Sequence, residues 1–219
     1  MLKVVIFDSG WGGELFADFL EEELVILEVI RVIDWRNAPY HEKSSAEVCQ
    51  LTEMALMPYL EKVDVIVLAS NEVSAVALDY LKKKYPKQKF VGFGWEALGN
   101  GRADRVLVLG TDLVFRSESY QEAKRRCQKV DFYEKSLESW PQLIDDGEMT
   151  EEMIARDVAE EVKLKPDVVM LGCAHFVDVK SSLEKVFGWQ TQVVDDYQPL
   201  MRALCSALGL LGGDGRRRR

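Results

Sequence analysis

Short runs of consecutive apolar residues alternate along the chain with longer stretches whose apolar positions recur every three or four residues. VVIF at 4–7, VIVL at 65–68, VLVL at 106–109 and VVML at 168–171 are apolar at every position. A strand with that pattern is buried on both faces, as the strands of parallel sheets are. The pattern predicts strands at Met1–Phe7, Val25–Ile33, Val63–Ala69 and Lys89–Phe93, then at Arg105–Leu109, Val130–Tyr133, Val168–Leu171 and Gln192–Val194. It predicts helices at about Glu14–Glu23, Ser45–Glu61, Ser74–Tyr85, Ser117–Cys127, Thr150–Val162, Val179–Val186 and Pro199–Leu208. Ser44 and Ser45 both suit the N-cap of the second helix, and the stretch from Trp140 to Gly147 reads as a loop. Strands alternating with helices throughout imply an α/β fold of parallel sheets flanked by helices.

The strand pattern also repeats. DVIVLAS at 64–70 and DVVMLGC at 167–173 stand 103 positions apart, and the same offset carries VVIFDS at 4–9 onto LVLGTD at 107–112. Two pairs with equal spacing point to an internal duplication: two pseudo-symmetric α/β halves with an active-site cleft between them. On this alignment Asp8 matches Thr111, and Ser70-Asn71-Glu72 matches Cys173-Ala174-His175. The expected division is a first domain over 1–94, a second over 95–198 and a flexible tail over 211–219. The C-terminal helix, 199–210, is expected to pack back on the first domain, and Gly94–Asp104 is the expected crossover.

With 219 residues the chain can bury a full core in one large or two small domains. Its net charge of −9 argues against nucleic acid or an anionic membrane as partner. No apolar run is long enough to span a bilayer and no signal peptide is evident, so a cytoplasmic protein is expected. Cys49, Cys127, Cys173 and Cys205 show no CxxC or zinc-type spacing, and reduced thiols are expected. His41 and His175 form no ligand pair at metal spacing, so no metal is expected.

The densest chemistry lies in VVMLGCAHF at 168–176. A polar group just beyond a buried parallel strand sits where open α/β sheets bind ligands. Cys173 is expected there at a helix N-terminus, whose dipole favours the thiolate and makes it the most reactive of the four thiols. His175 is the candidate to polarise or protonate it, with Asp145 as a candidate support. Ser70, the counterpart of Cys173, is a poor base unless Asp8 or Glu72 assists it, and it alternatively donates a hydrogen bond to a substrate oxygen. Asn71 is a candidate donor to a substrate head group. In DSGWGG at 8–13, three glycines suit either a tight turn or an anion cradle at a helix start.

In order and spacing, DSGWGG at 8–13, PYHEKS at 39–44, ASNEVSAVALDYL at 69–81, GTDLVFRSESY at 110–120, PQLIDDG at 141–147 and LGCAHF at 171–176 resemble glutamate racemase and the wider aspartate/glutamate racemase superfamily. The resemblance covers nearly the whole chain. It implies two pseudo-symmetric α/β domains, no cofactor, and one cysteine from each domain on either side of the substrate α-carbon. One thiol removes a proton while the other returns it. The implied partner is an acidic amino acid or dicarboxylate, and the implied product is a D-amino acid of the kind used as a peptidoglycan precursor; a homodimer is left open. Carried onto this chain, the catalytic residues are Cys173, Ser70, Asp8 and His175. The substrate-binding residues are Ser9, Tyr40, His41, Asn71, Glu72, Thr111, Ser117 and Ala174. The chain departs from the family at its first cysteine, where Ser70 stands, and at three threonines, replaced by Glu72, Ala174 and Val114. His41 stands where the family supplies a glycine amide. Three functions stay open: a racemase or epimerase with an altered first base, a single-cysteine decarboxylase or isomerase, and a catalytically degenerate ligand- or partner-binding homologue.

Overall fold

The computed structural model describes residues 1–95 and 103–210; most of the expected crossover, 96–102, and the whole tail lie outside the described residues. Strands β1 (Leu2–Asp8), β2 (Leu27–Ile33), β3 (Val65–Leu68) and β4 (Phe90–Gly92) form a parallel sheet in the order β2-β1-β3-β4. Strands β5 (Arg105–Gly110), β6 (Asp131–Ser136), β7 (Val168–Leu171) and β8 (Gln192–Val194) form a second parallel sheet in the matching order β6-β5-β7-β8.

Both sheets are covered on both faces, which is why their central strands are apolar at every position. On one face of the first sheet, Val4, Ile6, Val65 and Val67 meet Phe16 and Leu20 of α1 (Trp11–Glu23) and Leu200 and Leu204 of α10 (Tyr197–Ala207). On its other face, Val5, Phe7, Ile66 and Leu68 meet Val48 of α2 (Ser45–Leu56) and Val73 and Leu81 of α3 (Asn71–Lys84). In the second sheet, Leu107, Leu109, Val169 and Leu171 pack on Trp140 of α6 (Trp140–Asp145), Ile154 of α7 (Glu151–Asp157) and Leu183 of α9 (Lys180–Phe187). Its opposite face rests on Val114 and Phe115 of α4 (Asp112–Arg116), Tyr120 of α5 (Glu118–Arg126) and Ala75 of α3. Each such aliphatic or aromatic side chain stabilises the fold by roughly 1.5–3 kcal/mol. Helix α3 thus contributes to the cores of both halves, and the strand tips beside it are held between them.

Several boundaries differ from the sequence reading. Residues Trp140–Asp145 form α6 rather than a loop, with Pro141 in its first turn, where a missing N–H costs nothing. The helix expected over Ser117–Cys127 starts only after a separate α4, because Ser117 Oγ accepts from Tyr120 N and caps a new helix. The helix expected over Thr150–Val162 is interrupted at Val158, after which α8 (Ala159–Lys163) follows. Ser44, not Ser45, caps α2, in a reciprocal box with Glu47.

The pseudo-symmetry also carries a one-residue correction. Ala69 N donates to Phe7 O at 2.8 Å, and Gly172 N donates to Leu109 O at 2.7 Å. Asp34 N donates to Asp8 O as Leu137 N donates to Gly110 O. Strand β3 therefore maps onto β7 with the expected offset, but β1 maps onto β5 with one residue fewer. A slip of one residue exchanges the faces of a strand. The observed register keeps Val5 and Phe7 equivalent to Leu107 and Leu109, on the faces shared with Ile66 and Leu68 and with Val169 and Leu171. Ser9, rather than Asp8, is the counterpart of Thr111; Asp8 corresponds to Gly110.

Candidate active site

The four central strand tips converge where the two halves meet. Ser70 ends β3 and caps α3, its Oγ accepting from Val73 N at 3.3 Å and donating to Glu72 Oε2 at 3.1 Å. The other oxygen of Glu72 accepts from Thr111 Oγ1 at 3.1 Å, a bond that crosses from one half to the other. In the second half Cys173 follows β7, with Sγ 3.5 Å from His175 Nδ1. His175 Nε2 lies 3.3 Å from Asp145 Oδ1 of α6.

In each half the residue four positions beyond the last strand residue reaches across the divide. Glu72 reaches Thr111, while His175 lies against Gly10, where an added Cβ would stand 3.2 Å from its Nε2. A Cβ on Gly12 would fall 2.7 Å from Ala174 Cβ, and one on Gly13 would fall 2.4 Å from Asp8 Cβ. None of these three glycines has a positive φ. Gly10 and Gly12 are required by close approach of the two halves and Gly13 by the packing of Asp8 and Ile33 within the first half, so of the roles the sequence offered it is close approach, not a positive-φ turn, that they serve.

The electrostatics correct another expectation. Burial pushes the Cys173 thiol up to about 11, the negative charge of Glu72 adds to this, and His175 only partly opposes it. The segment after Cys173 is a 3-10 turn over Ala174–Val179, and Cys173 is 1% exposed, so desolvation outweighs any dipole at that point. The resting thiol is therefore protonated rather than activated. Burial likewise opposes the charge on His175, but Asp145, Cys173 and Asp8 outweigh it and hold the imidazole well above its ordinary range. Asp8 is raised to about 7, chiefly by burial, with His175 pulling down and Glu72 pushing up. Its Oδ1 accepts from Ser9 N at 2.5 Å, whereas Oδ2 is buried with no hydrogen-bond partner among the described residues. Near neutral pH the second half thus presents a protonated thiol backed by an imidazolium and a carboxylate, an arrangement able to give up a proton and stabilise the thiolate left behind.

A cleft of about 680 Å³ opens above these groups. Ser9, Gly10, Glu72 and His175 lie along it, with Trp35, Tyr40, His41 and Glu42 on one wall and Glu138, Asp145 and Asp146 on the other. Cys173, Ser70, Asn71, Thr111 and Asp8 are buried and do not line the cleft. Asn71 Nδ2 has no hydrogen-bond partner among the described residues. Tyr40 spends its phenol on Asp34 Oδ2 at 2.8 Å. Ala174 offers only a methyl group, packed toward Gly12. Ser117 does not line the cleft: its hydroxyl caps α5 and donates to Val114 O at 2.7 Å. Tyr197, at the start of α10, was not singled out from the sequence. Its hydroxyl is buried without a hydrogen-bond partner among the described residues, and burial raises its pKa, with Asp8 and other nearby negative groups adding to this. Nothing in the sequence distinguishes it from an ordinary core residue of an amphipathic helix. Among the described residues no three His, Cys, Asp or Glu side chains are grouped to hold a metal ion, and no helix is long and apolar enough to cross a membrane.

Fold and site together define a two-half α/β protein with an acid–base cluster at the meeting point of its central strands. The sequence model of the Asp/Glu/Hydantoin racemase family matches residues 24–204, and the chain belongs to that family. It is 30% identical over 214 residues to the glutamate racemase of Aquifex aeolicus, an alignment covering 93% of this chain and 82% of the relative. The glutamate racemase structure from Aquifex pyrophilus superposes with a TM-score of 0.73 at 28% identity, covering 94% of this chain and 83% of that one. Escherichia coli glutamate racemase, solved with L-glutamate and the activator UDP-MurNAc-ala, superposes with a TM-score of 0.83 at 23% identity, covering 100% and 86%. The last of these speaks for the fold alone.

Proposed function

We propose that this chain is an acid–base isomerase of the racemase type, moving the proton on the α-carbon of a small amino acid. Cys173, backed by His175 and Asp145, serves one face of that carbon. Glu72, held by Ser70 and Thr111, serves the other. Ser70, standing on the family resemblance where a first cysteine is expected, acts by orienting this carboxylate. In one direction the C–H bond breaks as Glu72 takes the proton, and the carbanion takes the S–H proton of Cys173. The His175 imidazolium stabilises the resulting thiolate. The reverse direction follows the same steps backward, and a positioned acid or base of this kind contributes about 10²–10⁴-fold to rate. Ser9, on the cleft, and the unpartnered Asn71 Nδ2 buried behind it serve as donors to the carboxylate of the amino-acid head group. The 30% identity to the glutamate racemase of Aquifex aeolicus supports an amino acid as the partner.

The observation that carries this reading is the Asp145–His175–Cys173 relay set beside a carboxylate that bridges the two halves. Its test is α-proton exchange in deuterated water, followed by NMR over a panel of amino acids. Cys173→Ala and Glu72→Gln should each lower exchange at least a hundred-fold. Exchange that survives both substitutions would remove the assignment. A second reading, a single-thiol enzyme that only donates a proton to an enediolate or carbanion, is favoured by one observation. The thiol is raised to about 11 and Ser70 is committed to capping α3. That enzyme would lose turnover with Cys173→Ala and keep it with Glu72→Gln.

A further inference from the structure

The cleft walls carry more negative charge than the proton-transfer chemistry uses. Beside Glu72 and Asp145, which that chemistry uses, Glu42, Glu138 and Asp146 line the cleft, and among the described residues no lysine or arginine does. Among the described residues the only lining groups able to carry a positive charge are His41 and His175, and His175 is already paired with Asp145. Asp146 accepts one hydrogen bond from the neutral amide of Gln142, which leaves its charge unopposed. Glu138 accepts from Asp112 N and Ser136 Oγ, again neutral donors. Two further observations point to a ligand. Asp8, 1% exposed, keeps Oδ2 without a hydrogen-bond partner, and it lies within electrostatic reach of Glu72 and His175, both on the cleft. On the opposite wall Trp35 is 51% exposed and stands 6.5 Å, centroid to centroid, from the 45% exposed Trp11. A half-exposed indole face beside several carboxylates is the arrangement that receives an organic cation, by attraction to the ring quadrupole and to the negative charges together.

We infer that the cleft selects an α-amino acid whose side chain ends in a positive charge, an ammonium or guanidinium, and disfavours the dicarboxylates that the family resemblance implies. An anionic side chain entering this space would meet several like charges and, among the described residues, no lysine or arginine to receive it. A cationic one would meet partners on both walls. This rests on the reading that the cleft binds an amino acid with its α-carbon toward Cys173, and the two claims separate experimentally.

The experiment is calorimetric titration of the full chain with lysine, ornithine, norleucine and glutamate, both enantiomers of each, alongside α-proton exchange for the same set. Lysine or ornithine should bind about ten-fold or more tightly than norleucine, the product of several exposed charge contacts each worth a few-fold, and glutamate should bind weakest. The preference should shrink as salt is raised. Asp146→Asn and Trp35→Ala, both at exposed positions, should each weaken lysine about 2–5-fold, and Asp146→Asn should leave norleucine unchanged. Glutamate binding as well as lysine would overturn the inference, and if glutamate also exchanged its α-proton the acid–base reading would stand. Selective lysine binding without exchange would support the inference and count against that reading. No binding of any of the four at millimolar concentration would overturn the inference.

Discussion

Replacing Asp8 by asparagine tests whether the centre of the site is held at a cost to stability. Asp8 is buried, and its carboxyl is raised from an ordinary 3.8 to about 7. The folded protein therefore binds this proton more tightly than the unfolded chain does. The contribution of Asp8 is fully present below about pH 4, is lost as the pH rises toward 7, and is flat above that. Three pKa units at 1.36 kcal/mol each amount to about 4 kcal/mol lost at alkaline pH. Asparagine has nearly the same shape, can still accept from Ser9 N, and does not ionise. Any cost of burying its NH₂ is the same at every pH. Urea unfolding of both proteins at pH 5 and pH 8 should show the stability of Asp8→Asn relative to the parent rising by roughly 2–3 kcal/mol between the two. For a chain of this size that is a relative shift in Tm of about 5–10 °C. The same variant should lose activity, as expected where a charge is retained against stability for function. A difference between the proteins that does not change with pH, or that shifts toward the parent as the pH rises, would refute the reasoning.

Other outcomes follow from the same geometry. With its thiol at about 11, Cys173 should react with iodoacetamide at pH 8 roughly a hundred-fold more slowly than an ordinary thiol, and after the half-buried Cys127, read by peptide mass spectrometry. Glu72→Gln should speed Cys173, and labelling of Cys173 ahead of Cys127 in unliganded protein would contradict the site's electrostatics. Asp145→Asn should lower the pKa of His175, read by NMR titration. Because that pKa is raised by folding, the stability it contributes is present below about 6.5 and lost as pH rises through the folded value; the variant should shrink this contribution. Gly12→Ala should cost about 1–3 kcal/mol through its clash with Ala174, and Ala174→Gly should recover much of it in a double-mutant cycle.

The strands were legible because double-sided burial leaves an unbroken apolar run that needs no context to interpret. Helix α6 was not, since Pro141 and the polar Gln142, Asp145 and Asp146 resemble a loop and only the packing of Trp140 against Phe176 shows a helix. The duplication was visible, yet its register was off by one in β1. A residue offset follows the chain, whereas facing is set by hydrogen bonds from Ala69 and Gly172, which leave no mark on the sequence. The pairing of Cys173 with His175 could be read from their spacing. Its electrostatic sign could not, because a helix-dipole argument takes no account of full burial or of Glu72 arriving from the other half. Tyr197 was missed for the same reason: it joins the site only through a helix that packs back from the far end of the chain.

The measurement closest to the central claim, two chemically different proton carriers on opposite faces of one α-carbon, is the position of deuterium during the first turnovers. The protein is given one pure enantiomer of its preferred amino acid in deuterated water, and both enantiomers are recovered before equilibrium. A thiol on one face and a carboxylate on the other predict deuterium in the newly formed enantiomer and protium retained in the starting one. Deuterium returning to the starting enantiomer as fast as it enters the other would mean one carrier serving both faces, and would contradict the account.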